Sequence, residues 1–168
     1  MNDRYPIGEF KCSEIISHEE VTNWINEICE FPSRLVEVVS NLTDVELNKT
    51  YRVNGWTIRQ VVHHIADSHM NAFIRFKLAL TEDNPTIKPY DQDEWAKSAD
   101  CKLPIEASLS IIESLHERWS YLLQSLSEEQ LNRTFHHPDS GLVPVKRNIG
   151  IYAWHGNHHL AHIKNALE

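Results

Sequence analysis

The sequence predicts an all-α protein, a four-helix bundle with a small β-hairpin before the last helix. Three observations support this prediction. Apolar residues recur at helical spacing in four long stretches, only five of the 168 residues are glycine, and a short turn-centred segment precedes the fourth stretch. Four amphipathic helices in a chain of this length pack most simply as a bundle. We therefore expect residues 1–168 to form a single domain.

The first predicted helix covers about His18–Ser40, and Pro32 is expected to kink it because proline lacks the backbone donor that a helix interior uses. The second covers about Thr57–Leu80 and opens on the Thr-x-x-Gln spacing of a capping box. A long polar connection, Thr81–Leu103, follows. Connections of this length often form the rim of a functional pocket.

The third predicted helix follows Pro104, a residue suited to a first helical turn, and ends near Leu126. The Ser-Glu-Glu-Gln segment at 127–130 is a second capping-box pattern and predicts one extra turn. Residues 134–145, with Pro-Asp-Ser-Gly at their centre, are expected to form a hairpin. The fourth long helix is predicted over about Asn148–Leu167.

Composition excludes several classes of protein. The formal net charge is −8, which argues against a nucleic-acid partner, because binding a polyanion depends on neutralising phosphates. No window reaches the ~18 consecutive apolar residues of a membrane span, and the amino terminus lacks the apolar core of a signal peptide. We therefore expect a cytoplasmic protein. Cys12, Cys29 and Cys101 show no paired spacing and are interpreted as ordinary thiols in a reducing compartment.

Histidine is the unusual component, at eleven residues of 168. Seven of the eleven fall in two short clusters, one on each of two predicted helices. The clusters are His63, His64 and His69 on the second helix, and His155, His158, His159 and His162 on the fourth. His18, His116, His136 and His137 are expected to be structural or solvated, with His116 on the surface.

On the fourth helix, His155, His159 and His162 lie within an arc of about 60°, because a helix advances about 100° per residue. His158 lies farther round, on the flank of that face. The i,i+4 spacing of His155 and His159 lets two imidazoles reach one ion. These two residues are therefore candidate metal ligands.

A catalytic zinc site usually takes three protein ligands and keeps a further position for water. The second helix can supply the third ligand. On its helical wheel His63 points toward solvent, His64 lies at the edge of the apolar face, and His69 lies inside it. A ligand at the edge suits an open site, and a more central one suits a closed structural site. Geometry leaves both His64 and His69 possible.

Other chemistries lack their motifs. The His-Gly-Asn-His-His segment at 155–159 has no glutamate after its first histidine, so the HExxH peptidase motif is absent. The sequence contains no Gly-rich phosphate loop, GxSxG elbow or CxxC, and no paired ExxH pattern of the kind found in di-iron bundles.

Several longer segments resemble the YfiT branch of the DinB-like superfamily, and the resemblance covers nearly the whole chain. The segments that carry it are Tyr5-Pro6-Ile7-Gly8-Glu9, Gly55-Trp56-Thr57-Ile58-Arg59-Gln60-Val61-Val62-His63-His64, Ala66-Asp67-Ser68-His69-Met70-Asn71, Arg75-Phe76-Lys77-Leu78, Pro89-Tyr90-Asp91, His137-Pro138-Asp139 and Tyr152-Ala153-Trp154-His155.

This resemblance implies a four-helix bundle that holds one divalent metal per subunit through three histidines, with zinc favoured over nickel or another first-row ion. Carried over by motif, the ligands are His64, His155 and His159. The resemblance also implies a cytoplasmic, homodimeric, metal-dependent hydrolase with a small-molecule substrate and no membrane or nucleic-acid partner. Relatives in the superfamily transfer thiols such as bacillithiol to electrophiles. The resemblance further leads us to expect that the last helix of the family extends about a turn or more beyond the position of Glu168.

Three functions therefore stay open at this stage. Metal-dependent hydrolysis and metal-dependent thiol transfer require the same three ligands. A non-catalytic metal-binding or stress-response module would close its site with a fourth protein ligand, for which His158 or His162 is available. Asp67, His69, His158 and His162 are candidates for orienting the ligands or transferring protons.

Overall fold

The computed structural model describes residues 4–168, which form seven α-helices, one 3-10 turn and one two-stranded antiparallel sheet. In chain order these are α1 (His18–Val39), α2 (Asp44–Leu47), α3 (Ile58–Thr81), α4 (Gln92–Trp95), the 3-10 turn (Ala99–Lys102), α5 (Glu106–Gln124), α6 (Glu128–Leu131), β1 (Thr134–His137), β2 (Gly141–Pro144) and α7 (Val145–Leu167). None of the helices between residues 4 and 168 has both the length and the apolar character needed to cross a membrane.

The four long helices α1, α3, α5 and α7 form the bundle. The most extensive contacts join α1 to α5 and α7, and α3 to the same two helices. Each long helix thus has two principal neighbours, and α1 and α3 lie across the bundle from each other. The all-α fold with a hairpin before the last helix, predicted from the sequence, is confirmed.

The starts of the helices follow the capping signals in the sequence. At the start of α3, the Thr57 hydroxyl accepts from the Gln60 backbone N–H at 3.2 Å, and Gln60 Oε1 accepts from the Thr57 N–H at 3.0 Å. The same reciprocal box at Ser127 begins α6, as predicted. The helix α1 starts at His18 and continues through Pro32.

The predicted boundaries are wrong in two places. The helix α7 begins at Val145, three residues before the predicted Asn148, because Pro144 has the extended conformation of an N-cap and the Val145 N–H donates to the Arg133 carbonyl at 2.8 Å. The connection predicted as a loop contains α4 and the 3-10 turn. Asp91 is the N-cap of α4, and its carboxylate accepts from two backbone N–H groups of the first turn.

The hairpin closes one end of the bundle. Its strands pair in the register Thr134–Pro144 to His137–Gly141, within the predicted hairpin of residues 134–145. Gly141 has φ +75°, a backbone conformation that glycine adopts without strain. The connection after α3 runs beside β1, where the His136 carbonyl accepts from the Ile87 N–H at 3.0 Å.

The buried interior consists of two apolar clusters. One lies toward the hairpin and includes Phe76, Trp119 and Ile149, while the other lies toward the opposite end and includes Leu35 and Ile65. Each cluster draws residues from all four long helices. At about 25 cal/mol per Å² of apolar surface, their burial is the main force that assembles the bundle.

A layer of histidines lies between the two clusters. It comprises His64 and His69 of α3, His116 of α5, and His155 and His159 of α7. On α5 and α7 the apolar residues before and after the histidines belong to different clusters, and on α3 the change of cluster falls at His69. These buried histidines therefore lie where the two apolar clusters meet.

Replacing Thr57 by alanine should lower the free energy of unfolding by about 1 kcal/mol, because the N-cap of α3 loses its acceptor. Urea denaturation monitored by circular dichroism measures the change. Thr57→Ser keeps the hydroxyl and is the matched control, expected to retain the wild-type value. Equal stability of the two variants would show that the cap contributes nothing.

Candidate metal centre

Three histidine side chains from α3 and α7 converge in the polar layer. Each of His64, His155 and His159 offers one ring nitrogen, and these nitrogens all lie within 4.8 Å of one another. The Nε2 atoms of His64 and His155 are 3.4 Å apart. These are the three residues that the sequence and its family resemblance predict as ligands, so the fold brings the predicted set together.

The electrostatic surroundings suit a cation bound by neutral imidazoles. Burial lowers the pKa of His64 to about 4, with a further contribution from His158. Burial also holds the pKa of His155 and of His159 well below the usual histidine range, and the neighbouring histidines add to the effect. At neutral pH all three rings are therefore uncharged, so each has a nitrogen lone pair. Three such nitrogens fit a divalent first-row ion.

Close packing against α1 fixes the position of α7 next to its histidines. Gly156 follows His155, and a Cβ at this position would lie 2.8 Å from Cδ2 of Phe31 on α1. The Phe31 ring in turn packs against His69 and His116, with ring centroids 5.6 and 5.5 Å away. The absence of a side chain at Gly156 thus allows Phe31 to form one wall of the histidine layer.

His155 and His159 line a cavity of about 620 Å³ that reaches the surface. Trp56 also lines it and contacts the His64 ring, with ring centroids 4.6 Å apart. Arg52 and Lys97 also line the cavity and provide positive charge at its rim. A small molecule entering the cavity would therefore meet the imidazole nitrogens.

His69, the other candidate from the second predicted helix, lies behind His155 instead of beside His64. It is 1% exposed, and its Nε2 lies 3.0 Å from Nδ1 of His155. Its Nδ1 lies 2.7 Å from Nε2 of His116, whose Nδ1 is 2.6 Å from the Ile28 carbonyl oxygen.

Two assignments made from the sequence are wrong. His63 does not face solvent: its Nδ1 lies 2.7 Å from the Ser108 hydroxyl and its Nε2 lies 3.0 Å from the Leu103 carbonyl, because α5 and the preceding segment cover that side of α3. His116 is not on the surface but 1% exposed. Its spacing of four residues from Ile112 and three from Trp119 places it on the apolar face, and that signal could have located it.

His158 and His162 lie on the other side of His159. With His159 they form a second group of three nitrogens within 4.8 Å of one another, but neither belongs to the group that contains His64. The ring of Tyr51 stacks on His162 with centroids 3.9 Å apart, and that of Trp154 stacks on His158 at 4.5 Å. These aromatic rings hold both histidines beside the cavity.

Ser68, which the sequence analysis did not single out, is buried one turn after His64. Its hydroxyl oxygen lies 3.4 Å from Nε2 of His155 and interacts with the phenols of Tyr90 and Tyr152. Burial raises the pKa of Tyr90 to about 12, so its phenol stays protonated and can donate at neutral pH. Serine and tyrosine carry no recognisable ligand spacing in the sequence, and only the packed structure places them here.

The remaining candidates lie away from the three nitrogens. Burial raises the pKa of Asp67, and Asp100 raises it further while His63 lowers it. Among residues 4–168 no hydrogen bond joins the Asp67 carboxylate to the three histidines. His18 and His136 are exposed, as expected, and His137 is partly exposed beside Asp139.

A helical bundle with a histidine triad at an open cavity is the architecture of a metal-binding helical domain. The DinB superfamily profile matches residues 29–163, more than half of the chain. The chain therefore belongs to the DinB superfamily, as its sequence motifs indicate.

Individual relatives extend this placement to nearly the full length of the chain. A protein of Halalkalibacterium halodurans named "Putative metal-dependent hydrolase" is 53% identical over 167 residues, covering 99% of this chain and 98% of the relative. A protein of the same name from Oceanobacillus iheyensis is 57% identical over 163 residues, covering 97% and 95%.

Solved structures agree with the fold. YfiT from Bacillus subtilis, described as "a probable metal-dependent hydrolase with an unusual four-helix bundle topology", matches with a TM-score of 0.95 at 46% identity, covering 99% of this chain and 96% of YfiT. A mycothiol-dependent maleylpyruvate isomerase matches with a TM-score of 0.67 at 16% identity, covering 83% and 59%. The second likeness concerns the fold alone.

Acid should destabilise the metal-free protein. Burial lowers the pKa of His116 to about 4, so the unfolded chain takes up protons first as the pH falls below 6.5. The free energy of unfolding should then fall between pH 6.5 and 4, by about 3 kcal/mol for His116 alone. Urea denaturation across this range measures the slope.

His116→Gln removes one titrating group and should flatten this slope. Ile112→Val is the control, since a core variant without a titrating group should lower stability at every pH and keep the wild-type slope. A free energy of unfolding that does not change between pH 7 and 4.5 would contradict the neutral state of the buried histidines.

Proposed function

We propose that this protein is a metal-dependent hydrolase in which His64, His155 and His159 hold one divalent ion, with Zn²⁺ preferred. The observation that carries the proposal is the convergence of three neutral imidazole nitrogens within 4.8 Å at the edge of a solvent-accessible cavity. The names of the two bacterial relatives and the description of YfiT support metal dependence and hydrolysis.

A divalent ion bound by three uncharged imidazoles supplies Lewis-acid activation, lowering the pKa of a coordinated water toward about 7 or, equally, the pKa of a thiol. The cavity beside the histidines leaves room for that water and for a substrate. Neither His158 nor His162 belongs to the triad, which supports a site open on one side over a closed structural site.

Other side chains of the chain would then bind and orient the substrate. The Ser68 hydroxyl, 3.4 Å from Nε2 of His155, is placed to contact a polar group at the reacting end of the substrate. Tyr90 can hold that hydroxyl as a phenol donor. Trp56 and Tyr51 offer apolar faces on the cavity wall. No described carboxylate lies among the three ligands, so a general base would be a histidine of the cavity, such as His158.

A second candidate function is thiol transfer to an electrophile. The cavity of about 620 Å³ is large for a water-activating site alone, and Arg52 and Lys97 on its wall suit a cosubstrate that carries carboxylates. A low-molecular-weight thiol such as bacillithiol has these features. Hydrolysis remains our first proposal because the names of the relatives support it.

Elemental analysis should find about one ion per chain in the wild-type protein after reconstitution with Zn²⁺. His64→Ala and His159→Ala should each lose it, because two imidazoles do not complete the site. His162→Ala is the matched control and should retain it. If instead the ion occupies the second histidine group, His162→Ala will lose the metal and His64→Ala will keep it.

The coordination number separates an enzyme from a purely structural metal site. X-ray absorption of the Co²⁺-substituted protein should give three imidazole nitrogens and at least one oxygen ligand from solvent. Four protein ligands would contradict catalysis at this ion.

The reaction is tested with the zinc-loaded protein and panels of small esters and amides, and in parallel with monochlorobimane with and without bacillithiol. We expect cleavage of a panel member that falls to background in His64→Ala and after chelation. Conjugation of the bimane that requires both the thiol and the metal, without ester or amide cleavage, would replace hydrolysis by thiol transfer.

A further inference from the structure

Below the candidate metal centre, three histidines from three helices form one continuous chain of hydrogen bonds. Nδ1 of His155 on α7 lies 3.0 Å from Nε2 of His69 on α3. Nδ1 of His69 lies 2.7 Å from Nε2 of His116 on α5, and Nδ1 of His116 lies 2.6 Å from the carbonyl oxygen of Ile28 on α1. This hydrogen-bond chain thus crosses the bundle and ends on the backbone of α1, so that it involves all four long helices.

The carbonyl at its end sets the direction of every bond in the chain. A carbonyl oxygen only accepts, so Nδ1 of His116 carries the proton and donates. In a neutral ring the other nitrogen then accepts, and Nε2 of His116 accepts from Nδ1–H of His69. By the same rule, Nε2 of His69 accepts from Nδ1–H of His155. The lone pair of His155 is therefore left on Nε2, the atom 3.4 Å from Nε2 of His64.

The surroundings keep the rings of the three histidines uncharged, so each ring has one donor nitrogen and one acceptor nitrogen. His69 and His116 are each 1% exposed, and aromatic rings enclose them: Phe31 contacts both, and Trp119 contacts both edge-on. Reversing the direction of the hydrogen bonds would require a proton on both nitrogens of His116, because the Ile28 carbonyl can only accept and so needs a proton on Nδ1. Burial, which lowers the pKa of His116 to about 4, opposes that charge at neutral pH.

We propose that His69 and His116 are positioning residues that hold His155 in the Nδ1-protonated tautomer, with the lone pair of Nε2 directed at His64 and His159. The two residues touch neither substrate nor ion and act through His155. Their effect on metal binding rests on the proposed function, whereas the tautomer of His155 does not.

The consequence of this arrangement is a ligand whose orientation and tautomer are set before any ion arrives. Without the chain, the His155 ring is free to rotate and to carry its proton on Nε2, which would have to leave before that nitrogen could bind. Removing a partner that orients a metal-binding histidine commonly weakens metal affinity about 10- to 100-fold. We expect a loss in this range when the chain is broken at His116.

The first measurement is the tautomeric state of the histidines in the metal-free, folded protein. Long-range ¹H–¹⁵N correlation spectra of histidine-labelled protein at pH 7.5 distinguish a protonated ring nitrogen from one with a free lone pair. We expect His69, His116 and His155 all to be protonated at Nδ1, the tautomer that a free imidazole side chain disfavours. Protonation of His155 at Nε2 would overturn the proposal whether or not the protein binds metal.

The second measurement compares two variants at the remote end of the chain. In His116→Gln, the amide oxygen can accept from His69 while the amide nitrogen donates to the Ile28 carbonyl, so the direction of the chain is preserved. In His116→Leu both bonds are lost. Zn²⁺ affinity, measured by competition with a chromophoric chelator, should fall about 10- to 100-fold in the leucine variant and be restored to near the wild-type value in the glutamine variant.

Ile112→Ala is the matched control for general destabilisation. It lies one turn from His116 on α5, is 1% exposed, and has no polar group that could join the hydrogen bonds of the three histidines. It should lower the melting temperature and leave Zn²⁺ affinity unchanged. A folded His116→Leu protein that binds Zn²⁺ as tightly as the wild type would overturn the positioning role. A wild type with the expected tautomers that binds no metal would instead refute the proposed function.

Discussion

The hydrogen-bond chain from the Ile28 carbonyl through His116 and His69 to His155 is the interaction on which the rest of this structure depends. A buried polar group without a partner costs about 1–3 kcal/mol, and this interior contains several ring nitrogens in the same layer. The chain pairs five of them, on His155, His69 and His116, and links all four long helices. Because Nδ1 of His155 contacts His69, Nε2 of His155 is the nitrogen that faces His64.

The two apolar clusters explain why such a layer is tolerated. Each is large enough to contribute the burial that holds four helices together, and together they keep His69 and His116, each 1% exposed, away from water. Exclusion of water keeps the rings neutral, since a charged imidazole would lose its hydration. Stability and chemistry are thus coupled here: the packing that assembles the bundle also preserves the lone pairs that a cation requires.

Much of the site was predictable because helical spacing is a local property. The i,i+4 pair His155 and His159 follows from the periodicity of one helix, and the periodicity of another limits the third ligand to His64 or His69 without choosing between them. In the structure His64 and His69 have different roles. His64 belongs to the group of three converging histidines, and His69 lies behind His155. A helical wheel could not separate these roles, because it records the direction of a side chain but not the helix that it faces.

The sequence alone determined the helical class, the capping boxes of α3 and α6, the hairpin and the histidine pair on the last helix, since each depends on residues near one another in the chain. The tertiary structure alone decided the burial of His63 under Leu103 and Ser108, the place of His116 in the hydrogen-bond chain, and the proximity of Ser68 to His155. These contacts join residues 40 to 88 positions apart or depend on how whole helices pack around them. Their physical cause is the cost of burying a polar group without a partner, a condition that arises only once four helices have assembled.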